Sequence, residues 1–422
     1  MIPDYRRLNV LRDKVLRNRI LIENFTFLSV LQASNLVLFL ITIPYLFRVV
    51  GSRSYGLIIF AQTVVYYITI FINFGFNLTA TRDISVNRNS PEKVSEIVSC
   101  VLMIKMLFFL VSMIVMIIIT GFSHKLRDYR LLYLLSMSAC LSEALFPIWY
   151  FQGIEKMKYI TFINVNTRIL ATVLVFIIIN QPARYYIYPA LFGTGSISGA
   201  LVALFVVFRR YKVHFSLQPV AILKSYFVNN LLYFLSNVST QVYVNANRII
   251  VGSFLGMVEV AYYDVAEKVI NIVKVLYSVI GQTLFPKVAR DKNISFLKRI
   301  IVMTVGITVG FIVILNIFSV QIINFFSGSD NSGAVNVLRV LSLALLPISL
   351  SLFYGDLILI NFGLKNEYAV MRFFGLMVYL LIFLGFYFLR SIGVVQVAMM
   401  VVIVELFLTI YSYILCKRAR IV

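Results

Sequence analysis

The chain has 422 residues, 61% of them hydrophobic and only 13% charged, with a mean hydropathy of +0.93. Soluble domains carry about 25% charged residues, so this composition excludes a soluble globular protein, and three cysteines exclude a disulfide scaffold. Lys+Arg number 38 against 17 Asp+Glu, giving +21; in a membrane chain that excess marks a cytoplasmic face, and no nucleic-acid partner is expected.

Residues 1–23 read as a basic cytoplasmic tail with Arg6, Arg7, Arg12, Lys14, Arg17 and Arg19. Leu8, Leu11, Val15 and Leu16 form its apolar side, the pattern of an interfacial helix and not of a cleaved leader. Stretches free of Asp, Glu, Lys and Arg follow at 24–47, 54–81, 106–124, 185–208, 225–247 and 300–329. Each can supply the roughly 17–25 apolar residues of a membrane span. Apolar segments with a few charges lie at about 131–151, 160–180, 262–285, 337–360, 372–389 and 393–415. The chain is therefore expected to be an all-α polytopic membrane protein of about twelve helices, since a barrel would show ~10-residue alternating segments instead. The basic loop 209–224, with Pro219, divides the spans into 24–208 and 225–415 and leaves 416–422 as a C-terminal tail. Two six-helix halves with a substrate path between them are a common transporter plan. Alternate connections on one side hold 24 Lys/Arg and those on the other hold 8, which predicts that both termini are cytoplasmic. Every connection is short, so the work is done inside the membrane. A faint repeat lays Gly51–Ala61 on Gly256–Ala266, matching at the glycine and the final alanine.

Polar side chains in spans normally face the protein interior or a watery cavity, so their spacing is informative. The second span carries Gln62, Tyr66, Thr69, Asn73 and Asn77 on one face, and the seventh repeats the device with Asn230, Asn237, Gln241 and Asn245. In the eighth, Asp264, Glu267, Lys268, Asn271, Lys274, Ser278 and Gln282 fall within an arc of about 120° at 100° per residue. The fifth adds Asn164, Arg168 and Thr172. Amides of this kind also bond helices to one another, the plain reading for any single one. The eighth-span face asks for more: seven polar positions want water or a hydrated ligand, and its lysines suit a phosphate or anionic sugar. Two readings of Arg168 stay open, a cavity cation or a partner for Glu143. Pro44, Pro147, Pro286 and Pro347 lie within or at the ends of spans, where they kink or terminate helices.

Two histidines in loops, His124 and His214, and three scattered cysteines give no metal or nucleophile cluster, and no phosphate-binding glycine loop occurs. No cofactor is expected, and neither is an enzyme. Tyr354-Gly355-Asp356 lacks the earlier glycine of an intramembrane aspartyl protease signature, having Phe353 there.

Several segments together resemble Wzx, the O-antigen flippases of Gram-negative bacteria. They are Trp149-Tyr-Phe-Gln-Gly-Ile-Glu-Lys-Met-Lys-Tyr159, Phe47-Arg-Val-Val-Gly51 with Tyr55-Gly56, Asn73-Phe-Gly-Phe-Asn77 with Ala80-Thr-Arg-Asp-Ile84, Tyr262-Tyr263 with Ala266-Glu-Lys268, and Leu284-Phe-Pro286. The resemblance implies the multidrug/oligosaccharidyl-lipid/polysaccharide exporter superfamily, with two six-helix bundles around a V-shaped central cavity. It implies movement of undecaprenyl-pyrophosphate-linked O-antigen units from the cytoplasmic to the periplasmic leaflet of the inner membrane by alternating access. Membrane lipid, an O-antigen polymerase and a chain-length regulator are its implied partners, with a proton or sodium as coupling ion. Basic residues at matching cavity positions are Arg48, Arg82, Arg168, Arg248, Lys268 and Lys274, joined by the amides Asn73, Asn77, Asn237, Gln241 and Asn271 of the stripes. Arg82 has a second reading, a salt bridge with Asp83. Glu143, Asp264 and Glu267 are the candidate coupling acids.

A multidrug exporter of the same superfamily is the rival reading. Drug cations favour an acidic cavity, whereas the spans hold six basic and five acidic residues. A membrane O-antigen polymerase or ligase, from another class, needs a large periplasmic loop that this chain lacks, and residues 79–97 lack the major-facilitator glycine/arginine signature.

Overall fold

The computed structural model describes the backbone of residues 4–328 and 331–421. Side chains are described from Glu23 onward, apart from residues 124–125, 232, 236–237, 239–240, 242–244, 286–287, 289, 291 and 365. The expected site residue Asn237 and the side chains of the basic tail through Ile22 therefore lie outside the described residues.

The chain folds as helices: α1 (Asp4–Asn73), α2 (Phe76–Asn87), α3 (Pro91–Phe122), α4 (Arg130–Gly153), α5 (Met157–Ile178), α6 (Ile187–Arg210), α7 (Val220–Phe254), α8 (Met257–Asp291), α9 (Ile294–Ile317), α10 (Ser332–Leu359), α11 (Lys365–Phe388) and α12 (Val394–Arg418). Ten segments among the described residues are long and apolar enough to cross a membrane, counting Glu23–Asn87 as one. That stretch has 65 residues, about 98 Å of helix at 1.5 Å per residue, against ~30 Å of hydrocarbon. It bends where Gly51 leaves helical geometry at φ +80° and breaks at Phe74–Gly75, both with positive φ. Apolar character all round is what lipid demands of such helices. Only 17% of the most apolar window is buried in α9 and in α11, against 56% in α10, so α9 and α11 turn most of their apolar surface outward and α10 is enclosed. Several hydroxyls inside the helices return to the preceding turn, as Thr63 does to the Ile59 carbonyl at 2.8 Å and Thr120 to Met116 at 2.8 Å, which satisfies those donors locally. Asn164 does the same, donating to the Ile160 carbonyl of its own helix at 2.8 Å.

The chain divides into two compact units, 1–43 with 64–237 and 44–63 with 238–422. The expected division at 209–224 differs on two points. The linker is partly helical, since α7 begins at Val220, and the units divide at 237/238, inside α7. Residues 44–63 of α1 belong with the C-terminal helices because their packing lies there. A Cβ on Gly56 would stand 1.6 Å from the Met257 carbonyl oxygen, and one on Gly252 would stand 2.2 Å from the Phe60 ring. Gly51 and Gly256, paired by the faint repeat, both carry positive φ, +80° and +135°, where a helix starts anew.

The first unit is built around aromatic side chains. Phe74 stacks between Phe227 at 4.8 Å and Phe234 at 4.5 Å, which holds its own backbone at φ +48°. Trp149, Tyr150 and Phe151 are buried with Phe76, Ile84 and Val98. The fourth span is not one helix: it breaks at Met137 and again at Phe146–Pro147, where the proline ends the ladder. Its last piece, Ile148–Gly153, is a buried helix against α2. Gly153 permits that approach, for a Cβ there would meet Ile84 Cγ2 at 2.6 Å and the Thr81 carbonyl at 3.0 Å. Gly153→Val is expected to destabilise the first unit by about 2 kcal/mol through overpacking, read as a lower unfolding temperature and less protein in the membrane.

Candidate functional site

The polar stripe of α8 meets residues far away in sequence. Asp264 is fully buried, and its Oδ2 accepts from Tyr55 Oη at 2.6 Å. Lys268, one turn on, ion-pairs with the same oxygen at 2.8 Å and donates to Tyr55 Oη at 3.0 Å. Arg248, near the end of α7, stands 3.3 Å from Asp264 Oδ1 and 2.8 Å from Glu267 Oε2. Two acids and two bases neutralise one another, as desolvated charges require. Beside them Tyr379 Oη donates to Asn247 Oδ1 at 2.8 Å, and Asn247 Nδ2 donates to Tyr263 Oη at 2.9 Å, tying α7, α8 and α11 together.

One turn beyond this cluster the stripe changes character. Asn271 and Lys274 line a cavity of ≈ 160 Å³ with Asn245, Arg248, Glu267 and Glu405. Lys274 is half-buried and makes no hydrogen bond or ion pair among the described residues. Its ammonium lies within electrostatic reach of the Glu405 carboxylate but is not bonded to it, and a cation so placed on a cavity wall can contact an anion. Gln241, also expected at the site, has its side-chain oxygen 3.3 Å from Asn245 Nδ2 and its carbonyl 3.2 Å from it.

The remaining expected residues are not gathered at this cluster. Arg48 is exposed and donates to the Phe325 carbonyl at 2.7 Å. Arg82 is exposed and makes no direct ion pair with Asp83 among the described residues, though its charge acts on that carboxylate. Arg168 donates to Asn35 Oδ1 at 2.7 Å, and Glu143 is not its partner. Glu143 binds Lys105, which is fully buried in α3, at 3.1 Å and accepts from Asn73 Nδ2 at 3.1 Å. Asn73 Oδ1 in turn accepts the Asn77 backbone N–H at 3.2 Å across the α1–α2 break. All three candidate coupling acids, Glu143, Asp264 and Glu267, are thus held by cations in this structure.

Two participants were missed by periodicity. Lys105 is a lone charge in an apolar span, which by itself demands a partner. Tyr55 has no local signal, because its partner lies 209 residues away.

A helical membrane chain with a buried, charge-balanced cluster beside a polar cavity has the build of a transporter, and solved transporters share its fold. The lipid II flippase MurJ in an inward closed conformation superposes with a TM-score of 0.75 at 18% identity, covering 93% of this chain and 87% of its own. An inward-facing multidrug resistance transporter of the MATE family gives 0.69 at 15% identity, covering 91% and 94%. The family profile described as polysaccharide biosynthesis protein matches residues 21–292, and the chain belongs to that family. Among its relatives, a protein of Escherichia coli (strain K12) named "Putative O-antigen transporter" is 27% identical over 371 residues, 86% of this chain and 89% of its own. A Shigella dysenteriae protein of the same name is 24% identical over 373 residues, covering 85% and 91%.

Proposed function

We propose that the chain is a flippase of the bacterial inner membrane that moves undecaprenyl-pyrophosphate-linked O-antigen units from the cytoplasmic to the periplasmic leaflet by alternating access, with both termini in the cytoplasm. The relatives named for O-antigen transport support the cargo, and the fold shared with a lipid II flippase supports the mode. The observation that carries the reading is Lys274, an ammonium on the wall of a polar cavity that makes no hydrogen bond or ion pair among the described residues, next to the amide of Asn271. A diphosphate can bind that ammonium directly, while the lipid tail stays in the bilayer. Lys268, although on the same face, is already committed to Asp264 and Tyr55, so its role is to hold unit 2 together.

The two lysines therefore separate in experiment. Lys274→Ala is expected to lower surface O-antigen about tenfold or more at unchanged protein amount, the effect of losing a charge-assisted contact of about 1.5–3 kcal/mol. Lys268→Ala is expected to lower the amount of protein itself. Full O-antigen display by Lys274→Ala at normal expression contradicts the reading.

A further inference from the structure

One edge of the first unit gathers the ends of three helices. α4 stops at Gly153, α5 starts at Met157 and α6 stops at Arg210, and their aromatics interlock there. Tyr211 lies 5.7 Å from Tyr150 and 6.1 Å from Tyr159, and Phe151 stacks on Tyr159 at 5.3 Å. α5 has 22 residues, about 33 Å at 1.5 Å per residue, which just crosses ~30 Å of hydrocarbon and sets this edge at the membrane boundary. Tyrosines are side chains that settle at such a boundary. Each connection leaves through one left-handed residue, Glu155 at φ +58° and Lys212 at φ +52°. Beyond Lys212 the chain runs without secondary structure along α3. The His214 N–H donates to Ser95 Oγ at 3.1 Å, and the Ser216 N–H donates to Ser99 Oγ at 3.0 Å.

This edge is cationic and apolar at once. Residues 154–158 and 209–219 hold the cations Lys156, Lys158, Arg209, Arg210 and Lys212 and a single acid, Glu155, which can answer at most one of them. Lys158 Nζ and the Arg210 guanidinium both lie 5.7 Å from the centre of the Tyr159 ring, which brings the two stretches together. The neighbouring stretch 82–96 is balanced within itself, with Arg82, Arg88 and Lys93 for Asp83, Glu92 and Glu96, and Lys93 pairs with Glu96 at 2.6 Å. Its acids are therefore not spare counter-ions. Beside the cations, Phe215, Leu217 and Val220 are 49%, 80% and 80% exposed. Apolar side chains next to Lys and Arg at a bilayer surface enter the acyl boundary while the cations meet phosphate. A free anion answers only the charges; a phospholipid, with its phosphate above its acyl chains, answers both.

We propose that this edge is a binding surface for anionic phospholipids, with Lys156, Lys158, Arg209, Arg210 and Lys212 on the headgroup phosphates and Phe215, Leu217 and Val220 in the acyl boundary. It lies wholly within the first unit and is independent of the cargo. The test takes the purified full chain in an uncharged detergent and titrates it with short-chain phosphatidylglycerol, phosphatidylcholine of the same chain length, or inorganic phosphate. Bound lipid is counted by native mass spectrometry, and the unfolding temperature is followed in parallel. The wild type is expected to bind phosphatidylglycerol about tenfold tighter than phosphatidylcholine, a preference that fades at high salt. Lys156→Gln/Arg209→Gln/Lys212→Gln keeps the two cations over Tyr159, so the lipid-free chain unfolds at an unchanged temperature while the preference narrows below about threefold. Leu217→Ser/Val220→Ser weakens both lipids alike. Equal binding of the two lipids by the wild type overturns the proposal, and that comparison decides even where a variant fails to fold. An undiminished preference in the folded triple variant overturns it too. So does protection by inorganic phosphate equal to that by phosphatidylglycerol, which marks a free-anion site instead.

Discussion

Asp264→Ala is expected to destabilise the unit containing 238–422 by about 3 kcal/mol. The carboxylate is fully buried and answers two cations at once, Arg248 at 3.3 Å and Lys268 at 2.8 Å. Removing one partner of a buried pair costs about 3–5 kcal/mol, because the other charge stays desolvated without compensation. The lower end applies here, since Arg248 and Lys268 keep side-chain exposures of 20% and 21% and regain some hydration. Tyr55 Oη also loses its acceptor, which uncouples residues 44–63 from α8. The measurements are unfolding temperature in detergent and protein amount in the membrane. A cycle adds a sharper readout: the double variant Asp264→Ala/Lys268→Ala loses less than the sum of the singles, as contacting residues in one network do.

Gly56→Val is expected to be as damaging, for a steric reason. A Cβ at this position would lie 1.6 Å from the carbonyl oxygen of Met257 and 2.6 Å from its carbon. Neither is the movable end of a side chain, so the backbone of α1 must leave the start of α8. Overpacking costs about 1–3 kcal/mol where a core yields; with backbone on the far side, about 3 kcal/mol is expected. The separation also carries Tyr55, one residue earlier, away from Asp264 and Lys268. The variant should show a loss of stability equal to or larger than that of Tyr55→Phe, which removes the hydroxyl alone.

These two sites show how far the sequence could be read. The stripe on α8 was legible because helical periodicity is local, and so was the mutual neutralisation of Asp264 and Lys268 at i, i+4. What lay opposite the stripe was not. Tyr55 is joined to Asp264 across 209 residues, and no window of sequence contains both. The same limit explains Glu143: Arg168, one of whose two open readings made it the partner, and Lys105, the observed partner, lie on different helices, and periodicity gives a face without naming the neighbour. The run beginning at Trp149, which marked the family resemblance, is accounted for by packing: its aromatics are buried and Gly153 lets the backbone approach Thr81. The breaks at Met137 and Phe146 and the π-helix at 352–359 had no sequence signal beyond Pro147, because all three are irregularities within continuous apolar runs. Asp356, Arg372 and Glu405 were visible as charges in spans, yet they sit on three helices and no single stripe joins them.

The net charge acquires a division of labour. Most Lys and Arg residues lie in the tails and connections outside the apolar segments. Inside the spans the charges are nearly balanced and mostly consumed in pairs, Lys105 with Glu143, Lys268 with Asp264, Arg372 with Asp356. Lys274 makes no direct pair of this kind among the described residues, and the proposed function depends on that difference.

The most direct measurement reconstitutes the purified chain in liposomes that carry undecaprenyl-pyrophosphate-linked O-units, and follows their accessibility to a membrane-impermeant lectin. Protein-dependent transfer of the lipid-linked sugar between leaflets, abolished in Lys274→Ala, is the predicted result. Transfer no faster than in protein-free liposomes, with efflux of cationic drugs in its place, would contradict the account.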